Sequence, residues 1–157
     1  MIGSTSSVFY SVLILAALAG SPQRAKHLTL TASASDAEVR RGGKVTLTVE
    51  LALDDNVHVY APGAGGYLPI AWTLADSAAW KSGSVHLPAS KMLKLEAIGE
   101  AAPVFDGIFR MTREVTIASK ADGDLTIEGA VRYQACDDRL CYRPETIPVK
   151  WTIRVSR

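Results

Sequence analysis

The chain has 157 residues, of which 48% are hydrophobic and 21% charged; this composition indicates one ordinary globular domain and excludes an intrinsically disordered protein. The 17 Lys and Arg residues nearly balance the 16 Asp and Glu residues, and they are scattered along the chain. A nucleic-acid-binding surface would need a basic stripe or patch, so we expect no nucleic-acid partner.

The chain begins with a hydrophobic leader. No charged side chain occurs in residues 1–19, and the apolar run VFYSVLILAALA ends at Ala19. This run of twelve residues is shorter than the roughly 20 that a membrane-spanning helix needs. We predict a signal peptide over 1–20, with Ala17 and Ala19 before a cut near Gly20, and a mature domain over 21–157. Because the n-region has no Lys or Arg, an uncleaved membrane anchor and a hydrophobic terminal helix stay open as alternatives.

After the leader, the hydrophobic pattern has a period of two residues, as in strands with one buried face. This alternation occurs in HLTLTASA, KVTLTVELAL, EVTIAS, DLTIEGAVRYQA and IPVKWTIRV. Turn-forming residues separate the strands at RRGG, APGAGG, KSGS, FDG and ADGD. About eight short strands predict an all-β fold, an immunoglobulin-like antiparallel β-sandwich. The three Trp residues are expected to pack in the core or on a sheet.

The chain has two cysteines, Cys136 and Cys141, in the stretch RYQACDDRLCYRPET. On the strand pattern Cys136 ends a strand and Cys141 begins the next segment, so DDRL forms a hairpin loop. Facing positions of an antiparallel pair have Cβ atoms about 4.5–5.5 Å apart, which permits a disulfide. Its chain-entropy contribution is only about 2 kcal/mol, against roughly 4.5 kcal/mol for a bridge that closes most of a domain. If the chain is exported, the bridge can form and persist, because extracytoplasmic compartments are oxidising.

Residue chemistry leaves the purpose of this bridge open. An accessible disulfide of low structural value is typical of redox-active pairs, but a local staple in a secreted β-domain fits the spacing equally well. Zinc would need four protein ligands, or three and a water, and His27, His58 and His86 show no ligand spacing. We therefore expect no metal and no cofactor.

Local charge does not identify the more nucleophilic sulfur. Asp137 and Asp138 should raise the pKa values of the two thiols, whereas Arg139 and Arg143 should lower them. The choice between the cysteines therefore depends on geometry.

The segments VRYQACDDRLCYRPETIPV, NVHVYAPG and PVFDGIF resemble the periplasmic N-terminal domain of the thiol:disulfide interchange protein DsbD. The resemblance runs from about Leu28 to Val155, and the cysteine hairpin is its specific part. It implies an immunoglobulin-like fold and a Cys136–Cys141 pair that cycles between dithiol and disulfide. Cys141 matches the cysteine that forms mixed disulfides with partners, which leaves Cys136 as the resolving thiol.

The resemblance also implies side chains that shield the pair. Family members have a cap loop whose Phe covers the disulfide until a partner displaces it, and in PVFDG this residue is Phe105. His58 and Tyr60 match an aromatic-bearing strand near the site, and Tyr142 follows the second cysteine of the motif. On residue chemistry alone, packing explains Phe105, His58 and Tyr60 as well.

The resemblance implies electron exchange with thioredoxin-like proteins or a membrane electron carrier, and delivery to oxidised periplasmic proteins, as a protein-disulfide reductase would do. The sequence contains neither an eight-helix membrane segment nor a thioredoxin-like Cys-x-x-Cys domain. We therefore expect a stand-alone domain in the periplasm or another extracytoplasmic compartment, in contact with a membrane only through partners or an uncleaved leader. A neighbouring gene for a cytochrome c maturation factor would support this relay. The alternative is a non-catalytic binding or assembly module with a structural hairpin disulfide.

Overall fold

The computed structural model describes residues 20–95 and 99–157. Every regular element within them is a β-strand, which confirms the predicted all-β class. The strands of these residues are β1 (Gln23–Ala25), β2 (Leu28–Ala34), β3 (Glu38–Arg40), β4 (Lys44–Leu53), β5 (His58–Tyr60), β6 (Ala71–Leu74), β7 (Trp80–His86), β8 (Lys91–Leu95), β9 (Glu100–Asp106), β10 (Ile108–Ile117), β11 (Gly123–Tyr133), β12 (Ala135–Cys136) and β13 (Glu145–Ser156).

The strands form three sheets. The first has the order β1-β2-β4-β10-β7, the second β3-β13-β11-β6 and the third β12-β5-β9-β8. All pairs are antiparallel except that of β3 with β13. The first two sheets enclose one core, as in the predicted immunoglobulin-like sandwich.

The period-two pattern places the core residues. In β13 every second side chain is buried, from Ile147 through Trp151 to Val155. A fully buried Val, Leu or Ile contributes roughly 1.5–3 kcal/mol relative to an exposed one. This alternation therefore fixes the register of β13, because a shift by one residue would turn its apolar face to solvent.

Two tryptophans connect the first and second sheets. Trp151 of β13 lies 5.4 Å from Trp72 of β6, centroid to centroid, and its indole N–H donates to the carbonyl oxygen of Ser33 in β2 at 2.8 Å. Arg113 of β10 lies over the Trp72 ring at 5.3 Å. Both tryptophans are buried, which confirms the expected packing role, and both reach across the sandwich.

The segment KSGS, expected to form a turn, lies instead inside β7. Between Arg113 and Val115 of β10 the partner residue changes from Val85 to Ser82, so β7 has one extra residue at this point. Such a β-bulge accommodates small, flexible residues without ending the strand. Pairing with β10 thus overrides the turn propensity of the segment.

The predicted signal peptide over 1–20 lies, except for Gly20, outside the described residues. Within residues 20–95 and 99–157, no helix is long and apolar enough to cross a membrane.

The third sheet begins where the chain leaves β11. At the end of that strand the buried Tyr133 donates its hydroxyl hydrogen to the carbonyl oxygen of Lys26 at 2.7 Å, and burial raises the pKa of Tyr133 to about 12. After Gln134 the two-residue strand β12 pairs with β5, Ala135 opposite Val59. Alternation then gives the sheet two faces: Ala135 and Val59 belong to the main core, whereas Cys136 and Tyr60 belong to a second, smaller apolar cluster.

Candidate functional site

The two cysteines form a disulfide across a hairpin, as the spacing predicts. Cys136 and Cys141 pair as an isolated antiparallel bridge with their Cα atoms 4.0 Å apart. Within the loop, the amide of Asp137 donates to the carbonyl oxygen of Leu140 at 2.9 Å, and beyond it the amide of Tyr142 donates to the carbonyl oxygen of Ala135 at 2.8 Å. Backbone hydrogen bonds therefore hold the hairpin closed on both sides of the bridge.

Asp137 organises the loop through its carboxylate. One oxygen accepts the amides of Arg139 and Leu140 at 2.8 and 2.9 Å, and the other accepts the Tyr142 hydroxyl at 2.6 Å. The Tyr142 hydrogen bond, then those two amides, lower the pKa of Asp137 to about 2. Asp137 stands at the start of a short loop, where Asx turns occur, and this position in the sequence indicates its role in the loop better than its charge does.

Tyr142 connects the hairpin to the sandwich. Its ring stacks on His27 with centroids 3.9 Å apart, and its carbonyl oxygen accepts a hydrogen bond from the Gln134 side chain at 2.9 Å. The hydrogen bond to Asp137 raises the pKa of Tyr142. Through these contacts Tyr142 supports the hairpin. Its role in shielding the disulfide stays a prediction. The role of His27 was not anticipated.

The two halves of the bridge differ in exposure. Cys136 is 1% exposed and belongs to the second apolar cluster, together with Tyr60 and Val104, whereas Cys141 is exposed. The Cys141 end of the bridge therefore lies at the surface, and the Cys136 end lies inside the protein.

His58 is the strand partner of Cys136. It lies on β5 directly opposite Cys136 and is 7% exposed. Its ring meets that of Tyr60 edge to face at 5.4 Å, and Tyr60 in turn stacks on Tyr67 at 4.1 Å. Burial lowers the pKa of His58 and raises that of Tyr60. Both side chains thus lie on the same face of the third sheet as Cys136, and their role in shielding the disulfide stays a prediction.

Phe105 lies on the other face of the third sheet. It pairs with Val59, is 4% exposed in the main core, and stacks on Phe109 with centroids 4.7 Å apart. Cys136 belongs to the opposite cluster, so the alternation of β5 and β9 separates Phe105 from the bridge. This placement matches the packing interpretation. This position gives no support to a role of Phe105 in covering the disulfide, and the assignment of Phe105 as a cap stays a prediction.

An open cleft of about 440 Å³ lies beside the hairpin. Its charged lining includes Asp138 of the hairpin loop, Asp106 at the end of β9, and Lys91 of β8, which forms an ion pair with Asp106 at 2.6 Å. His58 also lines it. Nothing in the sequence indicated that Asp106 and Asp138 line the same cleft, because they lie 32 residues apart in the chain.

The described residues bring together no group of three or more His, Cys, Asp or Glu side chains that could hold a metal ion. His27 stacks on Tyr142 and His58 on β5 faces Cys136, whereas His86 ends β7. The hairpin contains the reactive chemistry of this region, a sulfur–sulfur bond with one exposed half.

Comparison with known proteins identifies the family of this chain. The chain matches the family described as thiol:disulfide interchange protein DsbD, N-terminal, over residues 25–152. It is similar to the N-terminal periplasmic domain of ScsB from Proteus mirabilis, with a TM-score of 0.60 and 12% identity over 88% of this chain; it covers 51%, about half, of that chain. No curated protein sequence matches.

A second solved structure, the reduced N-terminal domain of DsbD from Neisseria meningitidis, aligns at 15% identity over 69% of this chain and 75% of that one, with a TM-score of 0.43. At 12% identity the likeness to ScsB shows the fold alone. The family match covers most of the sequence, including both cysteines. The chain therefore belongs to the family of N-terminal domains of the thiol:disulfide interchange protein DsbD.

Proposed function

We propose that this chain is an exported thiol–disulfide exchange domain, which relays reducing equivalents to oxidised periplasmic proteins through Cys136 and Cys141. The family assignment supports exchange chemistry in general. The observation that carries the relay is the unequal burial of the bridge, with Cys136 1% exposed and Cys141 exposed. A staple needs no exposed half, but an exchange site does.

Reduction of the domain would begin at Cys141. A thiolate of a thioredoxin-like or membrane-bound dithiol attacks the Cys141 sulfur, the bridge breaks, and Cys136 leaves as a thiolate that takes up a proton. The partner's second thiol then attacks its own mixed-disulfide sulfur and releases the thiolate of Cys141. The domain gains two electrons and becomes a dithiol, and the partner becomes a disulfide.

Delivery of the electrons follows the reverse order. The Cys141 thiolate attacks the disulfide of an oxidised protein, and Cys136 then attacks the Cys141 sulfur and expels the substrate thiolate. Leu140, directly before Cys141, is 52% exposed, and an exposed apolar side chain beside a reactive sulfur supports partner docking at the hairpin.

The same proposal covers export and the boundaries of the domain. We place a signal peptide over 1–20 and the mature domain over 21–157, with activity in the periplasm or another extracytoplasmic compartment. β1 begins at Gln23, which leaves Gly20 to Pro22 for a cleavage site before the first strand. Mass spectrometry of the exported protein tests the cut: a mature mass that includes residues 1–19 would contradict it.

Single-cysteine variants test the relay. In the Cys136→Ser variant the Cys141 thiolate should capture a thioredoxin-like protein whose own resolving cysteine is replaced by serine and whose remaining cysteine carries thionitrobenzoate, which leaves as a thiolate. The mixed disulfide should persist, because neither protein then has a resolving thiol. The Cys141→Ser variant is the matched control and should capture at least tenfold less, because Cys136 is buried. Equal capture by both variants, or by neither, would contradict the assigned order.

A second candidate function is a non-catalytic binding or assembly module. The burial of Cys136 in an apolar cluster favours it, because a sealed sulfur suits a permanent staple. Replacement of both cysteines by serine distinguishes the two functions. A module should keep its partner binding in that variant, whereas a relay should lose all electron transfer.

A further inference from the structure

His58 has a buried nitrogen without a partner. The side chain is 7% exposed, and among the described residues its Nε2 atom has no hydrogen-bond partner. A buried polar atom without a partner costs about 1–3 kcal/mol, and such atoms are uncommon enough to require an explanation. Packing against Tyr60 does not supply one, because the ring contact satisfies no lone pair.

The strand register offers the explanation. His58 is directly opposite Cys136 in the antiparallel pair, and both residues lie on the same face of the third sheet. Facing Cβ atoms of such a pair are about 4.5–5.5 Å apart. In the disulfide the Cys136 sulfur has no proton to give. In the dithiol state Cys136 has an S–H group, which is the donor that an Nε2 lone pair of His58 lacks.

The charges around His58 suit a transient imidazolium. Burial lowers its pKa, so the ring is neutral at rest, and the nearby carboxylates act in the opposite direction, Asp138 most strongly. The charged or titratable groups near it on neighbouring elements are Asp137 and Asp138 from the hairpin, Asp106 from β9, Lys91 from β8 in its ion pair with Asp106, and Tyr60 on β5 itself. The cleft that His58 lines also contains Asp55 and Asp54, the latter paired with Arg24. Acidic groups predominate, and their charges offset part of the effect of burial on an imidazolium.

We propose that His58 is the proton acceptor for the Cys136 thiol when Cys136 closes the disulfide, an inference that rests on the proposed exchange function. With its own proton on Nδ1, the neutral ring takes the S–H proton at Nε2 as the Cys136 sulfur attacks the Cys141 sulfur. The Cys136–Cys141 bond forms, the bond from Cys141 to the partner breaks, and the partner leaves as a thiolate. The imidazolium then returns the proton to that thiolate or to water.

The test uses the reduced full chain and the aromatic disulfide DTNB in stopped flow. Attack by Cys141 releases the first thionitrobenzoate in a second-order phase, and closure by Cys136 releases the second in a first-order phase. General base catalysis contributes roughly 10²–10⁴-fold, and part of the Cys136 thiol ionises without a base at pH 7. We therefore expect His58→Phe to slow the second phase at least tenfold at pH 7, while the first phase changes less than twofold. His86→Phe, an exposed position on β7, is the matched control and should change neither phase.

The pH profile separates proton transfer from a structural effect. The wild-type second phase should be flat between about pH 6.5 and 8, whereas that of His58→Phe should rise tenfold per pH unit toward the ordinary thiol pKa of about 8.5. If His58→Phe fails to fold, His58→Gln takes its place, because glutamine keeps a polar side chain but supplies no base. His58→Gln should show the same slope. In His58→Ala, added imidazole should restore the second phase.

An unchanged second phase, or one slowed equally at every pH, would overturn the role of His58 and leave the exchange function intact. Absence of both phases in the wild-type protein would instead refute the proposed exchange function itself.

Discussion

Opening the Cys136–Cys141 bridge should cost the fold little. The bridge joins residues with a sequence separation of 5, and a loop of that size gives a chain-entropy stabilisation of about 2 kcal/mol. This is an upper value, because the Asp137 carboxylate and the amide of Tyr142 close the hairpin with hydrogen bonds that do not involve sulfur. The same free energy makes the reduction potential of the native pair about 40 mV lower than that of the unfolded chain.

Guanidinium unfolding of the oxidised and reduced protein measures this cost. The fluorescence of the buried Trp72 and Trp151 reports loss of the core, and reduction should lower the midpoint by about 0.5 M at a slope of about 4 kcal/mol/M. The double variant Cys136→Ser with Cys141→Ser serves as the control and should match the reduced protein. A loss of 4 kcal/mol or more on reduction would refute the reasoning and make the bridge a structural staple.

Three further predictions concern single side chains. Phe105→Ala should cost about 3–5 kcal/mol in guanidinium unfolding, because the ring is in the core, and should leave the native rate of thiol attack on the bridge unchanged; a tenfold faster attack would instead identify a cap. The pKa of Asp137 is lowered to about 2, below its unfolded value of about 3.9. The Asp137 carboxylate therefore stabilises the hairpin loop fully above about pH 4, and this stabilisation is lost as the pH falls through about 2. Amide NMR shifts of the loop should show that transition, Asp137→Asn should lack it, and a midpoint near 4 would contradict the hydrogen bonds. Burial lowers the pKa of His58, so as the pH falls the imidazole is protonated in the unfolded chain at a higher pH than in the folded chain. Between pH 8 and 5 the free energy of unfolding should therefore fall more in the wild type than in His58→Phe. Equal decreases would argue against a buried neutral ring.

The sequence pattern predicted the sandwich and the hairpin because both depend on local periodicity. Alternation in β13 places its buried side chains directly, and two cysteines separated by a short polar loop allow few arrangements. The prediction of a turn at KSGS was wrong, because these residues pair with β10 through a β-bulge, a tertiary contact that a local pattern does not show.

The site depends on information that a local pattern lacks. The face on which Phe105 lies is set by the register of β9 against β5, and one residue of shift would reverse it. Asp106 and Asp138 line the same cleft as His58 because of the strand order of the third sheet. The resemblance alone assigned Cys141 as the sulfur that binds partners, and this role stays a prediction. The difference in exposure between the two cysteines was not visible in the sequence.

The redox equilibrium of the Cys136–Cys141 pair tests the central claim most directly. The oxidised protein is incubated in glutathione buffers and, for lower potentials, in dithiothreitol buffers, and its free thiols are alkylated and counted by mass spectrometry. A reversible relay predicts a potential above about −300 mV, as thiol–disulfide exchange proteins have. A pair that stays fully oxidised until well below about −300 mV would contradict the relay and leave the hairpin disulfide as a structural feature.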